Sequence, residues 1–441
     1  MRAMPLGQDW WRPETSPVLA GASPRVPAAD SRWSGASFTA LMAFTFVLLL
    51  APQGFVPALA PLRIGLLTAL LALTAYLLDR FAGGGSITRV TPEILAAAGL
   101  VIWAVLTLPL SYWPGGSLSF LLDMYFKTLA IFWLLANVVG TRPRLRRAAA
   151  CLVLMTVPLA AFAVHAFVAG QFIDAADPVR RIAGVDAPLT QNPNDLALML
   201  NLVLPLALAL AQAAGSAPAR LAFLACAFLD AIGVILTFSR AGFICLAIIA
   251  VLSLWKSARR PWKGWAFAAV VLALTLAPLL PHGYLDRLST ITDIQSDPTG
   301  SAQERWNDTR AAMRYVAAHP ILGAGVGMNV LALNETRGAS WKNVHNVYLE
   351  YAVDLGLPGL GLFLVLFAGC LGATVEAMRR AAATPAPDLF LLAEGLQTSL
   401  LAFAVAALFH PVAYHFYFYY VAGLAIAARA AAGEPAEGRV R

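Results

Sequence analysis

Apolar runs close to a membrane's thickness alternate along the chain with short polar connections. A helix of about 20 residues crosses a hydrocarbon layer of about 30 Å, and a spanning segment must satisfy its own backbone there, which favours helices. The runs that qualify are 36–52, 58–78, 92–112, 117–137, 147–169, 191–213, 219–238, 241–256, 263–280, 345–376, 386–409 and 412–431. The pattern predicts an all-α integral membrane protein of about twelve transmembrane helices, with a large, partly helical loop before the tenth span.

The polar positions set organisation and orientation. Residues 1–35 lack helical periodicity and read as a flexible cytoplasmic tail, as do residues 432–441 at the other end. Ala58-Leu59-Ala60 looks like a cleavage site, but the polar leader before the first run is too long for a secretory signal, which predicts an uncleaved anchor. Spans 1–9 occupy 36–280 and contain a short periplasmic loop at 170–190. The large periplasmic loop is 281–344, and spans 10–12 occupy 345–431. Lys and Arg concentrate in alternate connections: Arg80 and Arg89; Arg142, Arg144, Arg146 and Arg147; Arg220; Lys256, Arg259, Arg260 and Lys263; Arg379 and Arg380. Cytoplasmic loops carry that excess, so an even number of spans places both termini in the cytoplasm. The chain then reads as a multi-pass membrane protein with its functional loops on the non-cytoplasmic side.

Composition excludes whole classes. Hydrophobic residues make up 59% of the 441 and charged residues 12%, against about 45–50% and about 25% in soluble domains. The mean hydropathy is +0.70. The net charge of +7 follows from topology, and no nucleic-acid partner is expected. Cys151, Cys226, Cys245 and Cys370 lie inside apolar runs without metal or disulfide spacing and read as small hydrophobes. No metal or other cofactor is predicted.

Candidate chemistry collects in the two periplasmic loops. Ser301-Ala-Gln-Glu304 has the form of a capping box that starts a helix running to Ala318, stopped by His319-Pro320. Arg305 and Trp306 lie in its first turn, and Arg310 shares a face with Arg314. Trp306, Met313 and Val316 give this helix an apolar side suited to the membrane surface. Gly323-Ala-Gly325-Val-Gly327 lacks the spacing of a nucleotide loop and reads as a tight turn. His345 stands where the large loop enters the bilayer, followed by Asn346. In the shorter loop Arg180-Arg181 precedes Asn192-Pro193-Asn194-Asp195, a helix start, and Ser239-Arg240 adds a cation at a tight turn. Guanidinium groups outside the bilayer suit a diphosphate, whose oxygens they bind through charge-assisted pairs. Asp123 and Lys127, one helical turn apart, are expected to pair. His410, His415 and the run Tyr414–Tyr420 read as an interfacial aromatic belt.

His345-Asn346, nine residues, Gly356, two residues and Gly359 resemble the signature of the bacterial O-antigen ligases. The surrounding stretch from Gly323 to Phe363 resembles the wider O-antigen ligase/polymerase superfamily. Ser239-Arg240-Ala-Gly242 and Arg181…Gly184…Pro193-Asn194-Asp195-Leu-Ala197 are similar to that family too. The resemblance implies transfer of a glycan from undecaprenyl diphosphate to the lipid A core, with membrane lipids as surroundings. Carried over by position, the family's histidine falls on His345 and its large-loop arginine on Arg305; its first loop arginine falls on Arg181, with Arg180 as the rival. The arginines would stabilise the diphosphate leaving group. His345, with a pKa near neutrality, would take the acceptor's proton in an inverting, metal-independent displacement. Arg240, Asn346, Asn194 and Arg310 are further candidates for contact with diphosphate or glycan. A polymerase that joins lipid-linked repeat units is the alternative, with another lipid-linked glycan as acceptor; a transporter is the rival from a different class.

Overall fold

The computed structural model describes residues 32–173, 181–182, 184, 187–259, 300–384 and 386–433. The span expected at 263–280, Arg180, residues 281–299 and nearly all of both tails lie outside the described residues. Helices α1 (Arg32–Leu50), α2 (Ile64–Ala82), α3 (Pro92–Thr107), α4 (Pro114–Val138), α5 (Arg142–Val168), α6 (Pro193–Ala213), α7 (Ala217–Leu236) and α8 (Arg240–Ala258) come first. Next are α9 (Ser301–Ala318) and α10 (Asn329–Arg337), then α11 (Val347–Ala382), α12 (Pro387–Ala406) and α13 (Phe416–Ala431). Among the described residues, ten of these are long and apolar enough to cross a membrane, and α13 is a shorter apolar helix. The protein is an all-α integral membrane protein. Residues 32–35, expected in the tail, are the first turn of α1.

Local chemistry sets the starts. Asn192 caps α6 by accepting from the backbone N–H groups of Asn194 and Asp195, both at 3.0 Å, with Pro193 at the first helical position. Thr91, Thr141 and Ser216 cap α3, α5 and α7 in the same way. The expected Asp123–Lys127 pair forms at 3.2 Å on an exposed face of α4.

The helix α6 is apolar all round and accordingly lies in the interior, packed on α5, α7 and α12. The α13 stretch is buried too, which corrects the expected interfacial belt. Tyr414, Phe418 and Tyr419 are fully enclosed, and Tyr419 shares 2.8 Å hydroxyl contacts with both Tyr125 and Tyr351. The Tyr125, Tyr351 and Tyr419 phenols find partners in each other, so they need no water and no headgroup.

Contacts sort the connections into two ends. At one, Arg89 N–H donates to Asn137, Arg142 pairs with Asp388, Arg429 with Glu93, and Lys256 reaches Thr398. This is the basic end. At the other, Ser111 donates to the Ala324 carbonyl, Ser239 to Asn194, and Val347 N–H to the Ala407 carbonyl. The described parts of the candidate loops belong to the second end.

Candidate functional site

The approach to His345 is built by a break in α11. Gly356 adopts φ 68°, ψ −175°, a backbone open only to glycine, and an added Cβ would sit 2.1 Å from the Ile321 carbonyl oxygen. Breaking a helix orphans carbonyls, and here each one is matched. Val353 and Asp354 carbonyls accept from Ala324 and Gly325 N–H at 2.7 and 2.8 Å, and the Leu355 carbonyl accepts the Trp103 indole at 2.8 Å. The freed Leu357 N–H turns to the Pro320 carbonyl, and Pro358 has no N–H to place. Asp354, fully buried, takes the Gly327 N–H at 2.9 Å. The glycine-rich turn is therefore the plug of the broken helix, with positive φ at Gly323, Gly325 and Gly327.

The segment before His345 is pinned in turn. Asn334 Oδ1 accepts from Ser340 and Trp341 N–H, and Asn329 Oδ1 accepts from Val344 N–H. Ala311, Ala312, Tyr315, Met328, Leu333 and Val344 form a satellite core that fixes α9 against this segment. Two ion pairs and a hydrogen bond close it: Lys342 with Glu304 at 2.5 Å, Arg337 with Asp308 at 2.5 Å, and Arg337 donating to the Lys342 carbonyl.

On α9, Arg305 and Asp308 share a face at i, i+3 spacing; the Arg305 charge acts on His345, and Asp308 approaches it. Asp308 Oδ2 lies 3.9 Å from His345 Nδ1. Burial, then the Arg305 charge, then His410, lower the His345 pKa to about 4, where near-neutrality was expected from the sequence. The imidazole is thus held neutral, as a base requires. Burial raises the Asp308 pKa even against the Arg337 charge. His410 is 2% exposed, with Nδ1 2.9 Å from the Ala406 carbonyl and Nε2 3.3 Å from that of Asn194; burial first, with Arg305 adding to it, lowers its pKa.

Candidate residues from three further elements meet here. Asn194, at the start of α6, accepts from the Ser239 hydroxyl at 2.7 Å, and Ser239 caps α8, whose first residue is Arg240. Arg240 Nη2 donates to Ser301 Oγ at 2.9 Å. That contact corrects the expected capping box: Gly300 is the cap residue, and the Ser301 side chain accepts from Arg240 instead. Asn346 caps α11, accepting from Leu349 N–H at 3.1 Å. Arg181 is half-buried beside an antiparallel bridge between Phe172 and Ile182, and its carbonyl accepts from Ile173 N–H. Arg310 stands apart on α9, with its guanidinium 5.0 Å from the Trp306 ring centre.

Asp308 and His410 were missed as site residues in the sequence. Asp308 carried a signal, its i+3 spacing from Arg305; His410 was hidden by its aromatic neighbours.

Residues 224–364 match the family model of the O-antigen ligases. That match, over part of the chain, supports assignment to the O-antigen ligase family. No curated protein sequence matches it. The matched O-antigen ligase segment holds Arg240, Arg305, Asp308, His345 and the Gly356 break, and leaves Asn194, Arg181 and His410 outside it. With its apolar helices, the match supports a membrane enzyme of the O-antigen ligase/polymerase type, a family whose members transfer glycosyl groups.

Proposed function

We propose that the protein is an O-antigen ligase that transfers a glycan from undecaprenyl diphosphate to a hydroxyl of the lipid A core. The reaction takes place at the periplasmic face of the bacterial inner membrane, with both termini in the cytoplasm. The observation that carries this reading is the convergence of Arg305, Arg240 and a neutral His345 at the end of the bundle opposite the basic loops. Outside the membrane the driving force must come with the donor, and a diphosphate leaving group supplies it.

Arg305, with Arg240 and Arg181, stabilises the negative charge that develops on the departing diphosphate; such charge-assisted bonds are worth about 1.5–3 kcal/mol each. His345 takes the acceptor hydroxyl's proton as its oxygen forms the new bond to the anomeric carbon and the bond to diphosphate oxygen breaks. The diphosphate keeps the electron pair. One displacement inverts the anomeric centre, and the arginine charges serve the leaving group without a metal. Among the candidate residues, Asn346 and Asn194 hold the loops by capping and bridging.

Reconstitution in liposomes tests the assignment. Supplied with a polyprenyl-diphosphate-linked glycan and lipid A core, the protein is expected to yield glycosylated lipid A. Longer lipid-linked chains with no product on lipid A would instead assign it as a polymerase.

A further inference from the structure

We propose that Asp308 is the positioning residue for His345: in the substrate-loaded enzyme Asp308 Oδ2 accepts the Nδ1–H of the imidazole and leaves Nε2 free to take the acceptor's proton. This rests on the reading of His345 as the base.

Two facing atoms motivate it. Asp308 Oδ2 and His345 Nδ1 are both buried, neither has a hydrogen-bond partner, and they are 3.9 Å apart. Asp308 itself is 3% exposed. A buried polar atom without a partner costs about 1–3 kcal/mol, more when it belongs to a charged group. Two such atoms aimed at one another are a contact about 1 Å short of a normal hydrogen bond. Asp308 is not free to turn away, because its Oδ1 is held by Arg337. A carboxylate acceptor on Nδ1 selects the tautomer with the lone pair on Nε2, which is the tautomer a base needs.

The groups facing His345 are Arg305, Glu304 and Asp308 from α9, Lys342 from the preceding segment, and His410 from the turn before α13; Arg337 faces Asp308 from α10. Arg305, Lys342 and His410 lower the basicity of His345, while Glu304 raises it. Closing the Asp308 contact raises it further as substrate arrives.

The competing account makes Asp308 only the anchor of Arg337. Three variants of the full chain in liposomes separate the two: D308N, R337Q and the double variant D308N/R337Q, which leaves no buried charge unpaired. Each is assayed for kcat, donor KM and the acid limb of the kcat profile, with folded protein measured by thermal unfolding.

The amide introduced by D308N offers an N–H where an acceptor is needed and favours the wrong tautomer. Positioning predicts that D308N and the double variant lose about 10²–10⁴-fold in kcat per folded molecule with donor KM nearly unchanged. Their acid limb moves to lower pH. R337Q, which keeps the carboxylate and removes its competitor, moves the limb to higher pH. Wild-type kcat and an unshifted limb in the folded double variant would overturn the proposal, as would losses that only track folded protein. His345→Ala in the same preparation isolates the underlying reading: if it still transfers glycan, His345 is not the base, whatever the Asp308 variants do.

Discussion

Two buried carboxylate–guanidinium pairs lie at opposite ends of the bundle and are built differently. At the basic end, Arg429 gives one N–H to each Glu93 oxygen, at 2.8 and 2.6 Å, so the pair closes on itself. At the other end Arg337 satisfies only one oxygen of Asp308 and spends a second nitrogen on the Lys342 carbonyl. Glu93 and Asp308 have nearly equal exposure, 2% and 3%. Burial alone therefore does not distinguish them; the pattern of matched atoms does. The closed pair joins α3 to α13 and has no capacity left for chemistry. The half-matched one keeps an acceptor directed at a histidine.

His345→Ala tests the site end most severely. Removing a general base costs about 10²–10⁴-fold in rate, so transfer by the reconstituted variant should fall by that much. Its side chain is 28% exposed and carries little packing, so the unfolding temperature should hardly change. Activity near wild type would erase the functional half of the comparison.

Glu93→Gln tests the opposite end. Breaking a buried pair and leaving one charge behind costs about 3–5 kcal/mol, so stability in detergent should drop sharply while turnover per folded molecule stays at the wild-type level. A turnover defect with intact stability would make the closed pair functional after all.

Arg305→Lys keeps the charge and loses the planar fork. By analogy with removing one donor to a developing oxyanion, kcat should fall by about 10²-fold. The pH profile sharpens the same point. In the proposed mechanism His345 works as the neutral imidazole, so kcat/KM should be lost as pH falls through its pKa, and a pKa lowered to about 4 places the acid limb there rather than near neutrality. Arg305→Gln removes a charge that lowers that pKa, and the limb should move up. The same depression has a stability sign. The unfolded chain binds the proton first, so stability from the buried neutral ring is lost as pH drops from about 6.5 towards 4.

The two ends also differed in how far they could be read from the sequence. Apolar runs and the spacing of Lys and Arg predicted the spans and their alternation, because each is local to one helix. The Asn192 cap and the 301–318 helix were legible for the same reason. The glycine-rich turn could be recognised only as a turn; its partner, the break at Gly356, lies some thirty residues on, and nothing local reveals that Gly325 N–H completes the Asp354 carbonyl. Tyr414–Tyr420 were misread because an aromatic run is equally suited to an interface and to a core where hydroxyls satisfy one another, and only the Tyr125 and Tyr351 partners decide. Asp308 needed the fold to bring α9 against the segment before His345.

Arg310→Ala should have the smallest effect, and it marks the boundary of the site. Arg310 shares α9 with Arg305 and Asp308, but five residues beyond Arg305 the helix has turned it to another face, where it lies over the exposed Trp306 ring. An exposed cation–π contact contributes about 0.5–1 kcal/mol, so the unfolding temperature should shift slightly and transfer should stay within about twofold of wild type. The sequence set Arg305 apart only through the resemblance and kept Arg310 as a further contact; position on the helix gives the physical reason that separates them. A loss at Arg310 as large as that at Arg305 would extend the diphosphate contact around α9 and make the exposed tryptophan part of the substrate path.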